Sequence, residues 1–266
     1  MILIYIFTFI FGLCLGSFIN ALVYRLNENL PIGKARSICP KCKKQLRWQD
    51  NIPLVSFVFL RGKCQFCHEK ISWQYPLVEL ATGVLFLAMP ALLFSHNVLL
   101  FSSFTFCLYY FYCLAITAVL VFVFVYDLKY SIIPDAVMLP VITVALVAEI
   151  LLLVPDFSLA KLSTLLFSAI IGGGWFALQY FLSKGKWCGG GDIRLGILMG
   201  LILPWPHVLT ALFLSYIIGA LVAVPLLLFK KKTMKSEIPF GIFLVPATLV
   251  VIFWGNQIVH WYFNLL

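Results

Sequence analysis

The chain has 266 residues, of which 63% are hydrophobic and 11% charged, with a formal net charge of +9 and a mean hydropathy of +1.04. A soluble domain of this size has too little interior for that much apolar side chain, so a soluble globular fold is excluded and the bilayer becomes the solvent. The positive charge is that of basic loops between apolar segments and calls for no nucleic-acid partner.

A membrane span takes about 20 apolar residues, and windows of that kind fall at 1–23, 77–95, 101–126, 136–154, 160–182, 193–204, 207–229 and 240–263. They predict an all-α, polytopic transmembrane helix bundle of about seven or eight spans. The sixth window is short: Ile193 to Pro204 reads as a half-span, a re-entrant piece or a tilted start to the next helix. The first window lacks a basic leader and a small-residue cleavage site before Arg25, which predicts a retained helix rather than a signal peptide.

Of the 19 Lys and Arg residues, 10 lie between Arg25 and Lys70. Later ones gather at Lys129, at Lys184, Lys186 and Arg194, and at Lys230, Lys231, Lys232 and Lys235, with Lys161 alone on the other side. The positive-inside rule then puts the amino terminus outside and the 24–76, 127–135, 183–192 and 230–239 segments in the cytoplasm. A basic cytoplasmic surface also favours anionic membrane lipids. The predicted organisation is a first transmembrane helix at 1–23, a cytoplasmic four-cysteine, zinc-type module at 24–76 and a transmembrane bundle at 77–266.

Within the 24–76 segment, Cys39-Pro-Lys-Cys42 and Cys64-Gln-Phe-Cys67 give two pairs at metal-ligand spacing. Four thiolates close a tetrahedral zinc site, and a segment of this length with little apolar core needs such a staple. A site closed by four thiolates leaves no open position for substrate, so the zinc is structural. Two disulfides are the competing reading, disfavoured by a reducing cytoplasm. His68 is an alternative ligand. Cys14, Cys107, Cys113 and Cys188 have no ligand spacing and read as small apolar side chains.

The chain holds ten acidic residues, so their placement is informative. Asp127 ends the third apolar segment, where the helix dipole disfavours an anion. Asp192 follows three glycines in Cys188-Gly-Gly-Gly-Asp192, and capping of the following helix is its bland reading. Both fall on the same predicted face, and aspartates at one depth on different helices can meet across a bundle. Two carboxylates sharing a site do not both ionise easily, and one protonated with one charged is what activates water against an amide. The adjacent glycines let a substrate strand approach the backbone. Asp135, just after Pro134, is placed as the N-cap of the next helix. Glu79 and Glu237 lie toward the cytoplasmic face, Glu79 as a candidate for a second site, and Glu149 and Asp156 toward the outer one.

Taken together, Gly16-Ser-Phe-Ile-Asn20 through Arg25, the two cysteine pairs with Asp50-Asn-Ile-Pro53 between them, Tyr75-Pro-Leu-Val-Glu79, the two aspartate motifs and Glu237-Ile-Pro-Phe-Gly241 resemble the bacterial prepilin peptidases, bifunctional type 4 leader peptidase and N-methyltransferase enzymes. The resemblance covers nearly the whole chain. It implies a membrane aspartic endopeptidase of the inner cell membrane that removes the basic leader of prepilins and pseudopilins after a glycine. It also implies methylation of the new amino terminus with S-adenosylmethionine as donor. Asp127 and Asp192 become the catalytic pair, and Cys39, Cys42, Cys64 and Cys67 the metal ligands. The family commonly has lysine where this chain has Arg194, which keeps the charge and changes its geometry. A proton-coupled transporter or channel accounts for intramembrane acids but not for the cysteine module. A membrane-anchored zinc scaffold accounts for the module but not for the aspartates, and a methyltransferase without proteolysis would not need them.

Overall fold

The computed structural model describes residues 2–33, 36–95, 103–154, 157–229 and 238–264. Lys34, Asp156, Lys230, Lys231, Lys232, Lys235 and Glu237 lie outside the described residues. The described chain is helical, with α1 at Ile2–Asn27, α2 at Val55–Phe59, α3 at Gln74–Ser95, α4 at Ser103–Tyr130 and α5 at Asp135–Leu153. Then come α6 at Leu159–Ser183, α7 at Gly190–Ile202, α8 at His207–Leu228 and α9 at Gly241–Phe263. Among the described residues there is no strand, only the isolated bridges Ile38 to Gln45 and Lys63 to Lys70.

Among the described residues seven helices, all but α2 and α7, are long and apolar enough to cross a membrane, and the chain is a multi-pass membrane protein. The short sixth window forms the 13-residue α7. At 1.5 Å per residue α7 is about 20 Å long, less than the roughly 30 Å hydrocarbon core. Hydroxyls within the helices bond back to the preceding turn, as Thr82 does to the Val78 carbonyl, Thr117 to Cys113 and Thr248 to Leu244. This answers the requirement that polar groups in lipid find internal partners.

The structure divides into two compact units, Met1–Val125 and Tyr126–Leu266, with the boundary inside α4. In the first, α1 and α3 pack antiparallel through small residues. A Cβ on Gly16 would lie 2.7 Å from the Glu79 Cα, and one on Gly12 would lie 2.8 Å from the Thr82 carbonyl oxygen. The polypeptide between these helices is tied to α1 by Arg25 donating to the Ile32 carbonyl (2.7 Å) and Lys43 donating to the Tyr24 hydroxyl (2.6 Å).

In the second unit α6 and α7 make the closest helix contact. Cβ atoms on Gly172 or Gly196 would overlap the other's carbonyl oxygen, and one on Gly200 would overlap the Ser168 carbonyl. Close approach of this kind is how small residues let helices associate where lipid supplies no hydrophobic drive. The register sets Asp192 opposite Phe176, so the aspartate lies about 10 Å inside the Ser183 end of α6. The loop before α7 folds down to reach that level, and the Cys188 thiol donates to the Phe176 carbonyl (3.4 Å).

Candidate functional site

Asp127 lies in the last turn of α4 and belongs to the second unit. The electrostatic objection to an anion at a helix C-terminus is met by another helix. The backbone N–H groups of Ile242 and Gly241, at the start of α9, face the Asp127 carboxylate. A helix N-terminus supplies partial positive charge and unpaired donors to an anion. The approach is so close that a Cβ on Gly241 would lie 2.6 Å from Asp127 Oδ2. Asp127 is 4% exposed, and its Oδ2 is buried without a hydrogen-bond partner.

Asp192 is the third residue of α7 and is 8% exposed. Its Oδ2 accepts a hydrogen bond from the Gly189 backbone N–H (2.9 Å), and its own N–H donates to the Gly189 carbonyl (3.2 Å). The capping role is therefore real, and it fixes the rotamer of the side chain. Asp192 is near enough for its charge to act on Asp127, so the two sequence-selected carboxylates share one buried site. Ile133 completes the surroundings: a Cβ on Gly191 would lie 2.8 Å from the Ile133 Cβ, and one on Gly241 would lie 3.4 Å from its Cδ1. Both glycines leave room for that one side chain.

Asp135 does not cap α5 as the sequence suggests. The N-cap of α5 is Pro134, with no side-chain cap, and Asp135 is the first helical residue. Its carboxylate pairs with Arg194, which links the starts of α5 and α7 beside Asp192. The position suits an acid, because the first turn of a helix favours negative charge. Neither Gly241 nor Ile133 was singled out by sequence reasoning as part of the site. Gly241 entered the sequence reading only as the last residue of the Glu237-Ile-Pro-Phe-Gly241 motif, with no role in the site, and nothing marked Ile133.

Glu79 is in the first unit. It is 7% exposed, its Oε2 accepts from the Leu54 N–H (2.8 Å), and Ser17 on α1 contributes a side-chain hydrogen bond. Nearby, Asn20 donates to the Tyr75 carbonyl (3.2 Å), joining α1 to the first turn of α3.

The cysteines form two knuckles of the same design. Lys43 N–H donates to the Cys39 carbonyl and His68 N–H to the Cys64 carbonyl, each at 2.9 Å. Lys43 and His68 take positive φ, 58° and 57°, turning the chain back so that Cys39 N–H reaches the Lys44 carbonyl and Cys64 N–H the Glu69 carbonyl. The four Sγ atoms lie within 4.8 Å of one another. Thiolates bound to zinc at about 2.3 Å stand about 3.8 Å apart, so a small contraction brings this set onto a metal ion. All four are free thiols, with Cys39 and Cys67 sulfurs 4.0 Å apart. Burial works against the Cys64 thiolate, but the Cys67 and Phe66 backbone N–H groups and the neighbouring cysteines hold it down at about 7. For Cys67 the Glu69 backbone N–H works downward, yet burial and the other three sulfurs push it up to about 11. Crowded thiols that cannot all ionise together are a donor set suited to a cation. His68 is outside this group.

Comparison with known proteins places both parts. Residues 10–93 match the bacterial peptidase A24 N-terminal domain, and residues 114–224 match the type IV leader peptidase family. A prepilin leader peptidase/N-methyltransferase of Legionella pneumophila is 30% identical over 97% of this chain and 94% of its own. One of Pseudomonas aeruginosa is 31% identical over 96% and 92%, and one of Bacillus subtilis 29% identical over 97% of each. No solved structure matches the chain significantly. With relatives at this level of identity over nearly their whole length, the chain belongs to the type IV leader peptidase family of enzymes.

Proposed function

We propose that this protein is a prepilin peptidase that removes the basic leader of prepilins and pseudopilins after a glycine, with Asp127 and Asp192 as its catalytic pair, and then N-methylates the new amino terminus. The observation that carries the peptidase reading is the buried Asp127 carboxylate, with one unpartnered oxygen, beside an Asp192 held by its own helix terminus. Two carboxylates in one dry site share a proton. The charged member takes a proton from water, and the oxygen of that water attacks the scissile carbonyl carbon. The protonated member donates to the carbonyl oxygen as it becomes an oxyanion. Collapse of the tetrahedral intermediate breaks the C–N bond, and the proton taken from water goes to the departing amine.

The membrane is the cytoplasmic one, with the amino terminus outside and the 24–76 module and both aspartates toward the cytoplasm, as the basic residues favour. A substrate with a basic leader before an apolar helix would then present its junction near the bilayer surface, within reach of the site. Cys39, Cys42, Cys64 and Cys67 hold a structural zinc that folds the module and leaves no position for substrate. S-adenosylmethionine is the methyl donor that the relatives' name calls for. Among the described residues no strand and no glycine-rich strand-to-helix turn forms a nucleoside cradle, so no methyl-transfer step is assigned to particular side chains.

Incubation of purified protein in detergent with an intact prepilin, with and without S-adenosylmethionine, tests the proposal by product mass. Wild type releases the leader and, with the donor present, adds one methyl mass. Uptake by sealed vesicles without any cleavage would return the carboxylates to a transport role.

A further inference from the structure

The helix α2 is five residues long and lies between the two cysteine pairs, outside the spanning helices. On a soluble surface its side chains would be polar, yet its sequence is Val55-Ser-Phe-Val-Phe59. Val55, Val58 and Phe59 share one face by helical spacing, and Val58 is 72% and Phe59 83% exposed. Trp73, 69% exposed, packs on the Phe57 ring at 5.1 Å, and Phe57 lies on the side of α2 away from Val55, Val58 and Phe59.

The height of this patch is set by Glu79. Leu54, the residue just before α2, donates its N–H to the Glu79 carboxylate and has a positive φ of 59°, at the centre of the turn in which Val55 N–H donates to the Pro53 carbonyl. A glutamate in a helix leans toward the helix start, so Leu54 lies alongside the opening turns of α3, and Trp73 immediately precedes that helix. Because α3 is a spanning helix, its opening turns mark the membrane boundary. Around the patch the chain is strongly basic, with eight Lys and Arg against Asp50 and Glu69 between Arg36 and Trp73. Arg61 follows α2 by two residues and is exposed.

We propose that α2 is an interfacial anchor: Val55, Val58 and Phe59 insert at the boundary between headgroups and acyl chains of an anionic bilayer, and the surrounding basic residues meet the lipid phosphates. An apolar face with an aromatic and a basic rim is the composition that binds this layer. The anchor needs no catalytic role for the aspartates. Its function is to hold the cysteine module against the membrane instead of leaving it free above the bilayer.

The test uses the full chain in vesicles of phosphatidylcholine and phosphatidylglycerol, with p-benzoylphenylalanine replacing Phe59, or Val58 as a second variant, and Gln65 on the second cysteine knuckle as reference. Irradiation followed by mass analysis is expected to give lipid adducts several-fold more abundant at 58 and 59 than at 65, with phosphatidylglycerol above its mole fraction. Equal labelling at 59 and 65, adducts to a second copy of the chain, adducts to residues 126–266 of the same chain, or no adduct at 58 and 59 would each overturn the anchor. Phosphatidylglycerol at its mole fraction would overturn the anionic preference.

Discussion

Gly241 and Asp127 meet with no space for another carbon between them: a Cβ at 241 would stand 2.6 Å from Asp127 Oδ2. The last turn of α4 and the first of α9 thus close on the carboxylate, and the glycine lets the Gly241 and Ile242 N–H groups approach it. Gly241→Ala displaces the carboxylate. The expected cost in stability is about 1–3 kcal/mol, the range for overpacking, whereas leader cleavage falls by about 10²-fold, as misplacement by an ångström does. Melting in detergent and kcat measured separately check the two effects; unchanged cleavage would separate Gly241 from the site.

The contact between α6 and α7 sets the depth of Asp192, since Gly172, Gly196 and Gly200 bring the two backbones together. Gly200→Leu forces a side chain against the Ser168 carbonyl and is expected to lower stability by at least about 2 kcal/mol. A lower melting temperature with reduced cleavage is the predicted result. Gly174, whose Cβ would meet nothing within 4 Å, is the control: Gly174→Ala leaves both properties within error.

Arg194 pairs with Asp135, and the two side chains are 31% and 55% exposed. Exposed pairs contribute roughly 0–1 kcal/mol. Arg194→Lys keeps the charge and is expected to retain cleavage within about threefold, and Arg194→Ala to lower the melting temperature only slightly. A loss of activity beyond about tenfold in Arg194→Lys would show that the planar guanidinium does more than hold Asp135.

Four thiolate ligands predict one zinc per chain, lost on acidification, because protonation competes with the metal for each sulfur. Backbone N–H groups and neighbouring sulfurs hold the Cys64 thiol below the usual thiol range, while burial and the other three sulfurs push Cys67 above it, so the set keeps some of its protons at neutral pH. Metal binding at neutral pH therefore releases protons, and affinity rises with pH until the ligands are deprotonated. Elemental analysis after dialysis across this range checks the direction. Chelation, or Cys39→Ser, is expected to open residues 36–73 to protease while the helices of the second unit stay protected.

Much of this architecture was legible in the sequence because it depends on local quantities. Span length and apolarity marked seven crossing helices, although α1 runs past its window to Asn27. Cysteine spacing marked both knuckles, which are turns of a few residues. What depends on the approach of distant segments was not legible. Asp135 follows a proline and resembles a cap, but its partner, Arg194, is 59 residues away. The short window around Ile193 left α7 open to three readings, since hydropathy has no term for backbone contact with α6. Glu79 was noticed for its charge, but its bond to Leu54 joins residues 25 positions apart. Asp127 stood out at an unfavourable helix end, and only the fold shows that α9 compensates it.

The central claim is that Asp127 and Asp192 act as a pair on a peptide bond. Asp127→Asn and Asp192→Asn keep the shape of each side chain and remove the charge, so they test chemistry rather than packing. Each purified variant is incubated with intact prepilin, and separately with already processed pilin plus S-adenosylmethionine. The account predicts that either substitution lowers leader release by at least about 10³-fold, within the range found when a member of a catalytic unit is removed, while methylation of the processed pilin continues. Leader release that survives both substitutions would contradict the account.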